Sequence, residues 1–554
     1  MRSASPWILA LSTVLSAACG DVGSVTVDAG ATQATPPPDS VPFSPPAPVL
    51  RRLTQAQYAN VVHDVLGDGV VLAQRMEPDV TLDGSTSVGA ATTSISARGV
   101  EQYESIAYDV ARQLLGAGPL RAAATPCTPA GTTDDACAER FVRQTGLHLW
   151  RRPVTDDEAH TLVTVANASA TALNDFYAGL QFALSAMLQS PNFLFRTELG
   201  DGAAMGPTAQ FSPYPLASRL AFFLWNGPPD DALLAAAADG SLATDAGLQA
   251  QVDRMLLSPK LNRGLRAFVT EWLSLQNLDA VSKDAVVFPS FSADTPLAAR
   301  EETLSLAEHL ALTTDADFRD IVTTRQTFLN RRLASIYNVR APAATRADGF
   351  GLATLPDTSP RRGILGHVSI LSQFAHPTTS SPTLRGKFVR SALLCNQIPM
   401  PPVNVNTALP VISPTVRTMR DRLIQHQANP TCRACHALLD PIGLGLEHFD
   451  GIGRYRSVDN GAAIDASGNL DGAPFSDSAS LAQVIHDDVS FPRCITTRLY
   501  RFAYGRTEGD GEEAEISRLT QAFAYRGYRL RALMSTIATS TAFRRADGAT
   551  GSHP

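Results

Sequence analysis

The sequence predicts an all-α protein, a mainly helical multi-module body with a small β-hairpin region near its C-terminal end. Two capping boxes, Thr54 with Gln57 and Thr155 with Glu158, mark helix starts. Apolar residues recur at helical spacing through most of the chain. The 554 residues exceed what one hydrophobic core usually holds, so about two to four globular units are expected.

The first 19 residues have the pattern of an export signal. Arg2 precedes a short apolar run at 7–15, and small residues then lead to Cys19. This ending is similar to a bacterial lipobox with Cys19 as the lipidation site, although Leu15 stands one position earlier than the usual leucine. A plain signal peptide is the alternative. Either interpretation predicts export, and lipidation would make the protein an outer-membrane or periplasmic lipoprotein that touches the membrane through its lipid anchor only.

The remainder divides into a linker and five modules. Residues 20–48, rich in Pro, Ala and Thr, predict a disordered linker. The expected modules are an N-terminal helical module (49–118), a helical module with a disulfide (119–172), a central helical module (173–345), a connecting helical module (346–412) and a cytochrome c-like C-terminal module (413–548). Within the last module, DNG at 459–461 and Ser467-Gly468 favour a hairpin between residues 456 and 476.

Composition excludes several classes of protein. The net charge of -7 gives no electrostatic footprint for nucleic acid. No apolar run reaches the roughly 18 residues that a membrane-spanning helix needs. The motifs of a nucleophile elbow, a phosphate-binding loop and a zinc protease are absent from the sequence.

The most informative motif is CRACH at 432–436. It has the CxxCH form to which c-type haem is attached. On a helix, Cys432, Cys435 and His436 project from one face, so two thiols can form thioethers with the haem vinyls while the imidazole binds the iron. A structural disulfide or half of a zinc site is the alternative interpretation.

The residues after the motif suggest a pocket. Pro441 disfavours helical geometry at Asp440, so the helix is expected to end within a turn of the iron. Glycines can approach a flat porphyrin closely, and an ordinary irregular connection is the alternative; they are Gly443, Gly445, Gly451 and Gly453. The expected apolar wall consists of Leu439, Ile442, Leu444, Leu446 and Phe449.

Seven cysteines can be assigned without a remainder. Cys19 would carry the lipid, and Cys432 and Cys435 the haem. Four cysteines in an oxidising compartment fit two disulfides. Sequence alone allows three connectivities, of which Cys127–Cys137 with Cys395–Cys494 is preferred because the first pair flanks a short loop.

An ordered set of sequence blocks resembles a known family. The blocks are RRLTQAQY (51–58), LWRRPVT (149–155), LQSPNFLFR (188–196), RLAFFLW (219–225), RRG (361–363), TSSPTLRGK (379–387), CRACH (432–436) and DPIGLGLEHFD (440–450). Together they resemble a multi-module family of bacterial envelope proteins, built from domains of unknown function, whose C-terminal module is often described as cytochrome c-like. In the family pattern, Asn is more common at the position of His448.

Whether the haem iron has a second axial ligand from the protein distinguishes an electron-transfer protein from a catalyst. An open iron position permits small-molecule chemistry. The candidates are Met400, His376, His448 and His486, and an open position is equally compatible with the sequence. The leading hypothesis is a monohaem c-type cytochrome-like protein that transfers electrons to a redox partner protein in the envelope. The alternatives are a haem-dependent oxidoreductase, which would make it an enzyme, and a non-haem binding or scaffold lipoprotein with a Cys432–Cys435 disulfide.

Overall fold

Helices form most of the structure, as the sequence predicts. The computed structural model describes residues 36–42, 50–197, 210–398, 409–428 and 430–545. The expectations for the signal peptide, for Cys19 and for Met400 lie outside these residues. Within the described part of the chain, no helix combines the length and the apolar character needed to cross a bilayer.

Helices occur along the whole described chain and are joined by connections of very different length. The N-terminal half contains α1 (Gln55–Leu66), α2 (Thr86–Gly89), α3 (Ala97–Leu115), α4 (Pro119–Ala124), α5 (Asp135–Leu149), α6 (Asp156–Leu173), α7 (Phe176–Gln189), α8 (Pro191–Leu194), α9 (Pro213–Trp225), α10 (Asp231–Ala238), α11 (Asp245–Leu256) and α12 (Lys260–Trp272). The C-terminal half contains α13 (Thr295–Glu308), α14 (Arg331–Tyr337), α15 (Val368–Gln373), α16 (Pro382–Phe388), α17 (Met419–His426), α18 (Pro430–Leu444), α19 (Ser478–Asp487), α20 (Ser490–Tyr504), α21 (Glu513–Tyr525), α22 (Leu530–Thr539) and α23 (Thr541–Arg544). Both predicted capping boxes are present, at the starts of α1 and α6.

Strands form only short antiparallel pairs. The pairs are β1 (Leu50–Arg52) with β2 (Phe195–Thr197), β3 (Gln326–Leu329) with β4 (Gly351–Thr354), β5 (Val458–Asp459) with β6 (Ala462–Ala463), and β7 (Gly468–Leu470) with β8 (Ala473–Phe475). The first pair places Arg51 opposite Arg196, so two distant sequence blocks meet there. The fold is therefore mainly helical with small β regions.

The β region after the CxxCH motif consists of two hairpins. The first turns at Asn460 and Gly461, as the DNG sequence predicts, and both residues have positive φ. The second turns at Asp471 and Gly472, which also have positive φ. Gly468 lies in β7, where a Cβ would come within 2.2 Å of a backbone oxygen, so it permits close packing instead of forming a turn.

Two large hydrophobic clusters organise the body. The N-terminal cluster joins α1, α3, α5, α6 and α7. The larger cluster contains buried residues from Phe211 to Phe543, so the central and C-terminal helices share one core. Within it, the ring of Phe223 lies 6.4 Å from that of Phe502 and 5.7 Å from that of Phe543. All described residues belong to one compact unit.

Four of the described cysteines form disulfides. Cys127 pairs with Cys137 at the start of α5, and Cys395 pairs with Cys494 in α20. These are the pairs that the sequence favoured. Cys432 and Cys435 remain free thiols.

Candidate functional site

The CxxCH motif lies in the first half of α18. The side chains of Cys432, Cys435 and His436 are each partly exposed there, whereas Leu439 and Asp440 are buried. A helical repeat of 3.6 residues places Leu439 on the same face as the motif. That face is thus open to solvent over the motif and covered by protein one turn later.

The helix continues through Pro441 to Leu444, so the expectation that it ends near Asp440 was wrong. The cause is packing against α16. A Cβ on Gly386 would lie 1.9 Å from the carbonyl oxygen of Leu439, and a Cβ on Gly443 would lie 1.8 Å from that of Pro382. The two helix backbones are in direct contact, and this packing outweighs the local preference of the residue before a proline.

Asp440 holds the imidazole of the motif. It is buried and lies four residues after His436, whose Nδ1 is 2.9 Å from Asp440 Oδ2. The hydroxyl of Thr383 donates to Oδ1 at 2.7 Å, and the amide of Gln427 donates to Oδ2 at 2.9 Å. Because an ionised carboxylate only accepts hydrogen bonds, Nδ1 carries the proton and Nε2 is the nitrogen that can bind a metal.

This hydrogen bond also raises the pKa of His436. Such a carboxylate–imidazole pair is the usual arrangement behind a metal-bound histidine. The sequence reasoning missed the role of Asp440, although the i, i+4 spacing from His436 was a signal for it.

A second histidine, also missed, lies next to the motif. The ring of His426, in the last turn of α17, packs edge-on against that of His436 with 4.7 Å between centroids. Burial lowers the pKa of His426, and the neighbouring His436 lowers it further. The sequence offered no signal for this contact, since it depends on the angle between α17 and α18.

The proposed second ligands lie on different elements. His376 lies in the turn before α16, His448 packs its ring 5.5 Å from that of Tyr455, and His486 is in α19. Hydrogen bonds to two aspartates raise the pKa of His486. The described ring contact to His436 comes instead from His426.

The expected pocket residues serve the protein core. All five apolar residues of the expected wall are buried, three of them in the large hydrophobic cluster. The glycines have a packing role, since a Cβ on any of them would meet protein atoms: Pro382 for Gly443, Phe475 for Gly445, Phe288 for Gly451 and Leu371 for Gly453. A flat group at this site would therefore cover the exposed first half of α18.

Arg385 forms hydrogen bonds with the chain segment that follows α18. Its guanidinium is fully buried and donates to four backbone carbonyls, those of Leu371 (3.1 Å), Leu446 (2.9 Å), Phe449 (2.7 Å) and Asp450 (2.6 Å). The sequence block at 379–387 is thus hydrogen-bonded to the block at 440–450 through Arg385. Together the two blocks hold in place the chain segment that follows the CxxCH helix.

The attaching groups fit a covalently bound haem. Two free, partly exposed thiols stand three residues apart on one helix, and the adjacent imidazole presents Nε2 while Nδ1 is held by a buried carboxylate. This is the set of donors that c-type attachment requires.

Comparison with known families gives five consecutive matches. They are protein of unknown function DUF1587 at residues 51–116, DUF1595 at 137–198, DUF1592 at 211–339, DUF1588 at 361–459 and DUF1585 at 471–543. The chain is a multi-domain protein of unknown-function modules. The CxxCH motif falls inside the DUF1588 module. No curated protein and no solved structure matches the chain.

A buried polar network joins the DUF1592 and DUF1588 modules. Glu302 is fully buried and accepts hydrogen bonds from the hydroxyls of Thr327 (2.6 Å) and Tyr337 (2.6 and 2.8 Å). His367 Nε2 lies 3.6 Å from Glu302 Oε1, and the guanidinium of Arg361 stacks 3.8 Å from the Tyr337 ring. Burial raises the pKa of Glu302 to about 7 and lowers that of His367 to about 3.

The variant Glu302→Gln should change the pH dependence of stability. In the wild type, folded Glu302 keeps a proton that the unfolded chain loses above its ordinary pKa of 4.5, so this residue's contribution to the unfolding free energy falls between pH 4.5 and about 7. His367 acts oppositely, adding stability as the pH rises from about 3 to its ordinary pKa of 6.5. Glu302→Gln removes only the Glu302 contribution. The unfolding free energy of the variant minus that of the wild type should therefore be about 3 kcal/mol higher at pH 8 than at pH 5.

Urea unfolding at both pH values measures this difference. Glu104→Gln, on an exposed position of α3, is the matched control and should show no such change. An equal stability difference at the two pH values would contradict the assignment of a raised pKa to Glu302.

Proposed function

We propose that this protein is an exported, lipid-anchored monohaem c-type cytochrome-like protein that transfers electrons in the bacterial cell envelope. The observation that carries the proposal is the state of its cysteines. Four described cysteines are paired, whereas Cys432 and Cys435 are free and accessible on one face of a helix that also presents His436. An exported protein that keeps two thiols at this spacing beside a histidine has the groups that haem attachment uses.

Each residue of the motif has a defined role in this proposal. The thiols of Cys432 and Cys435 would each add across a vinyl group, forming a carbon–sulfur bond while the thiol hydrogen passes to the other vinyl carbon. His436 Nε2 would bind the iron, with Asp440 fixing the orientation of the ring. Bound haem would supply reversible one-electron chemistry at its iron.

The surroundings of the motif suit a redox partner protein. Several large apolar side chains near α17 and α18 are exposed, among them Val411 (83 %), Ile424 (62 %) and Leu438 (45 %). Exposed apolar side chains on neighbouring elements are typical of protein interaction surfaces. We propose that the partner contacts this part of the molecule, around α17 and α18.

A pyridine haemochrome spectrum of the denatured mature protein tests the proposal. The protein is produced in a host that carries haem-attachment machinery, alongside Cys432→Ala and the control Arg433→Ala. Wild type and the control should show a c-type band, and Cys432→Ala should lose it or show the shifted band of a single thioether. Properly exported wild-type protein without a covalent haem band would refute the proposal and favour a non-haem binding or scaffold lipoprotein. A band that shifts on adding small ligands to the native protein would favour a haem-dependent oxidoreductase.

The variant Asp440→Asn should raise the reduction potential of the haem-loaded protein. The carboxylate makes the bound imidazole more electron-rich, which favours oxidised iron. Replacing a charged hydrogen bond by a neutral one removes about 1 kcal/mol, equivalent to about 40 mV for one electron. Redox titration measures the shift, and Thr383→Val, which leaves the carboxylate on His436, should shift the potential less. Equal potentials in Asp440→Asn and wild type would show that Asp440 does not tune the iron.

A further inference from the structure

The segment that carries the CxxCH motif is positively charged, although the whole chain is negative. Residues 409–438 contain one acidic residue, Asp421, and four arginines: Arg417, Arg420, Arg422 and Arg433. The net charge of the chain is -7, so this segment differs in sign from the rest of the molecule. The contacts of each charged side chain decide whether this charge is available to a partner.

Three of these charged side chains hold α17 against the hairpins. Arg417 donates to the backbone carbonyl of Asn460. Arg420 donates to the backbone carbonyl of Asp465 and lies 3.3 Å from the carboxylate of the same residue. The carboxylate of Asp421 accepts from backbone N–H groups at the start of α17. These groups are therefore engaged within the protein.

The other carboxylates near the motif are engaged as well. Asp459 accepts from Arg456, and Asp471 accepts from Arg390. Asp440 is buried, and its oxygens are bound by the motif histidine and by two neighbouring side chains. None of these carboxylates is paired with the two remaining arginines of the segment.

Those two arginines, Arg422 and Arg433, lie beside the motif. Arg433 stands between the two cysteines, and its Nε donates to the carbonyl of Gln427 at 3.2 Å. Arg422 stands one turn before His426 on the same face of α17, and its Nε donates to the carbonyl of Pro410 at 2.8 Å. Both side chains are at least partly exposed, and neither guanidinium has a carboxylate partner among the described residues. Their terminal nitrogens are thus left for a group from outside the protein.

We propose that the redox partner docks at this place through an acidic surface, whose carboxylates bind Arg422 and Arg433. The inference rests on the proposed function and adds the charge of the partner. A guanidinium can bind a carboxylate through two parallel hydrogen bonds, which fixes the orientation of the two proteins. The exposed Val411 adjoins the carbonyl that accepts from Arg422, so apolar contact is available beside the charge. Opposite charges on the two surfaces also raise the rate of association at low salt.

Electron transfer to small charged oxidants tests this inference on the haem-loaded protein. The probes are hexacyanoferrate(III), an anion, and tris(phenanthroline)cobalt(III), a cation; each takes one electron from ferrous haem. Stopped-flow absorbance measures the rate of haem oxidation by each probe. The rate with the anion should fall about threefold between about 10 mM and about 200 mM salt, because salt screens its attraction to the arginines. Since the whole chain is negative, such a fall reports the local charge at the motif.

The double variant Arg422→Gln with Arg433→Gln isolates the two arginines. It should lower the ratio of the anion rate to the cation rate about fivefold at low salt. The matched control is Arg98→Gln with Arg526→Gln, which removes two exposed arginine charges from other parts of the molecule. This control should leave the ratio unchanged, and both double variants should keep the wild-type circular dichroism spectrum.

Three results would overturn the inference while the covalent haem band is present. One is a wild-type anion rate that does not fall with salt, a measurement that needs no variant. Another is an equal rate ratio in wild type and the Arg422 and Arg433 variant. The third is an effect of phosphatidylglycerol vesicles on haem oxidation that only wild type shows, which would assign the arginines to a lipid surface. A protein without the haem band would instead refute the proposed function itself.

Discussion

Replacing Arg385 by methionine should lower the unfolding free energy by about 5 kcal/mol. The four backbone carbonyls that accept from its buried guanidinium would lose their partner together, and three of these four hydrogen bonds, those to Leu371, Leu446 and Phe449, are fully buried. Methionine retains much of the stem volume, so the loss arises from hydrogen bonding and not from a cavity.

Urea unfolding followed by circular dichroism measures this loss. Lys387→Met, two residues along the same helix but exposed, is the matched control and should change stability by less than about 0.5 kcal/mol. Because the carbonyls of Leu446 and Phe449 follow the CxxCH helix directly, amide exchange should also accelerate in α18. A loss of similar size in both variants would show that Arg385 has no special role.

Removing the disulfide between Cys395 and Cys494 by a double alanine substitution should cost about 4.7 kcal/mol. The two residues are 99 positions apart, so the bond removes much conformational entropy from the unfolded chain. The disulfide between Cys127 and Cys137 closes a separation of only 10 residues and should contribute about 2.7 kcal/mol by the same relation.

The comparison of the two double variants is the decisive measurement. Both double variants are unfolded in urea without reductant, and their losses of unfolding free energy are compared. If loop closure determines the contribution of each disulfide, the losses differ as stated above. If the loss comes only from removing buried sulfur, the two variants lose the same amount. Equal losses would mean that local packing, and not loop length, determines the contribution of each bond.

The parts of the fold that could be predicted depend on local chemistry. The capping boxes at Thr54 and Thr155 form as expected because each needs only four consecutive residues. The hairpin at Asn460 and Gly461 is similar, since two residues that tolerate positive φ are sufficient to specify the turn.

The features that could not be predicted depend on distant parts of the chain. Pro441 remains inside α18 because α16, some 50 residues earlier, packs against it through glycines. The contact of His426 with His436 requires the geometry of two helices. The burial of Arg385 is visible only in the tertiary structure, since the sequence around it carries no pattern that indicates it. The motif itself was recognisable because its chemistry is confined to five residues.

The 99-residue separation of Cys395 and Cys494 has a consequence for fragments of this protein. A protease that cuts the chain between these two positions, for example near the exposed Val411, produces two polypeptides that remain joined by one covalent bridge. The fragments should migrate as a single species on a non-reducing gel and separate only after reduction. The DUF1588 helix that bears the motif would then stay with the amino-terminal helices despite a break in the backbone.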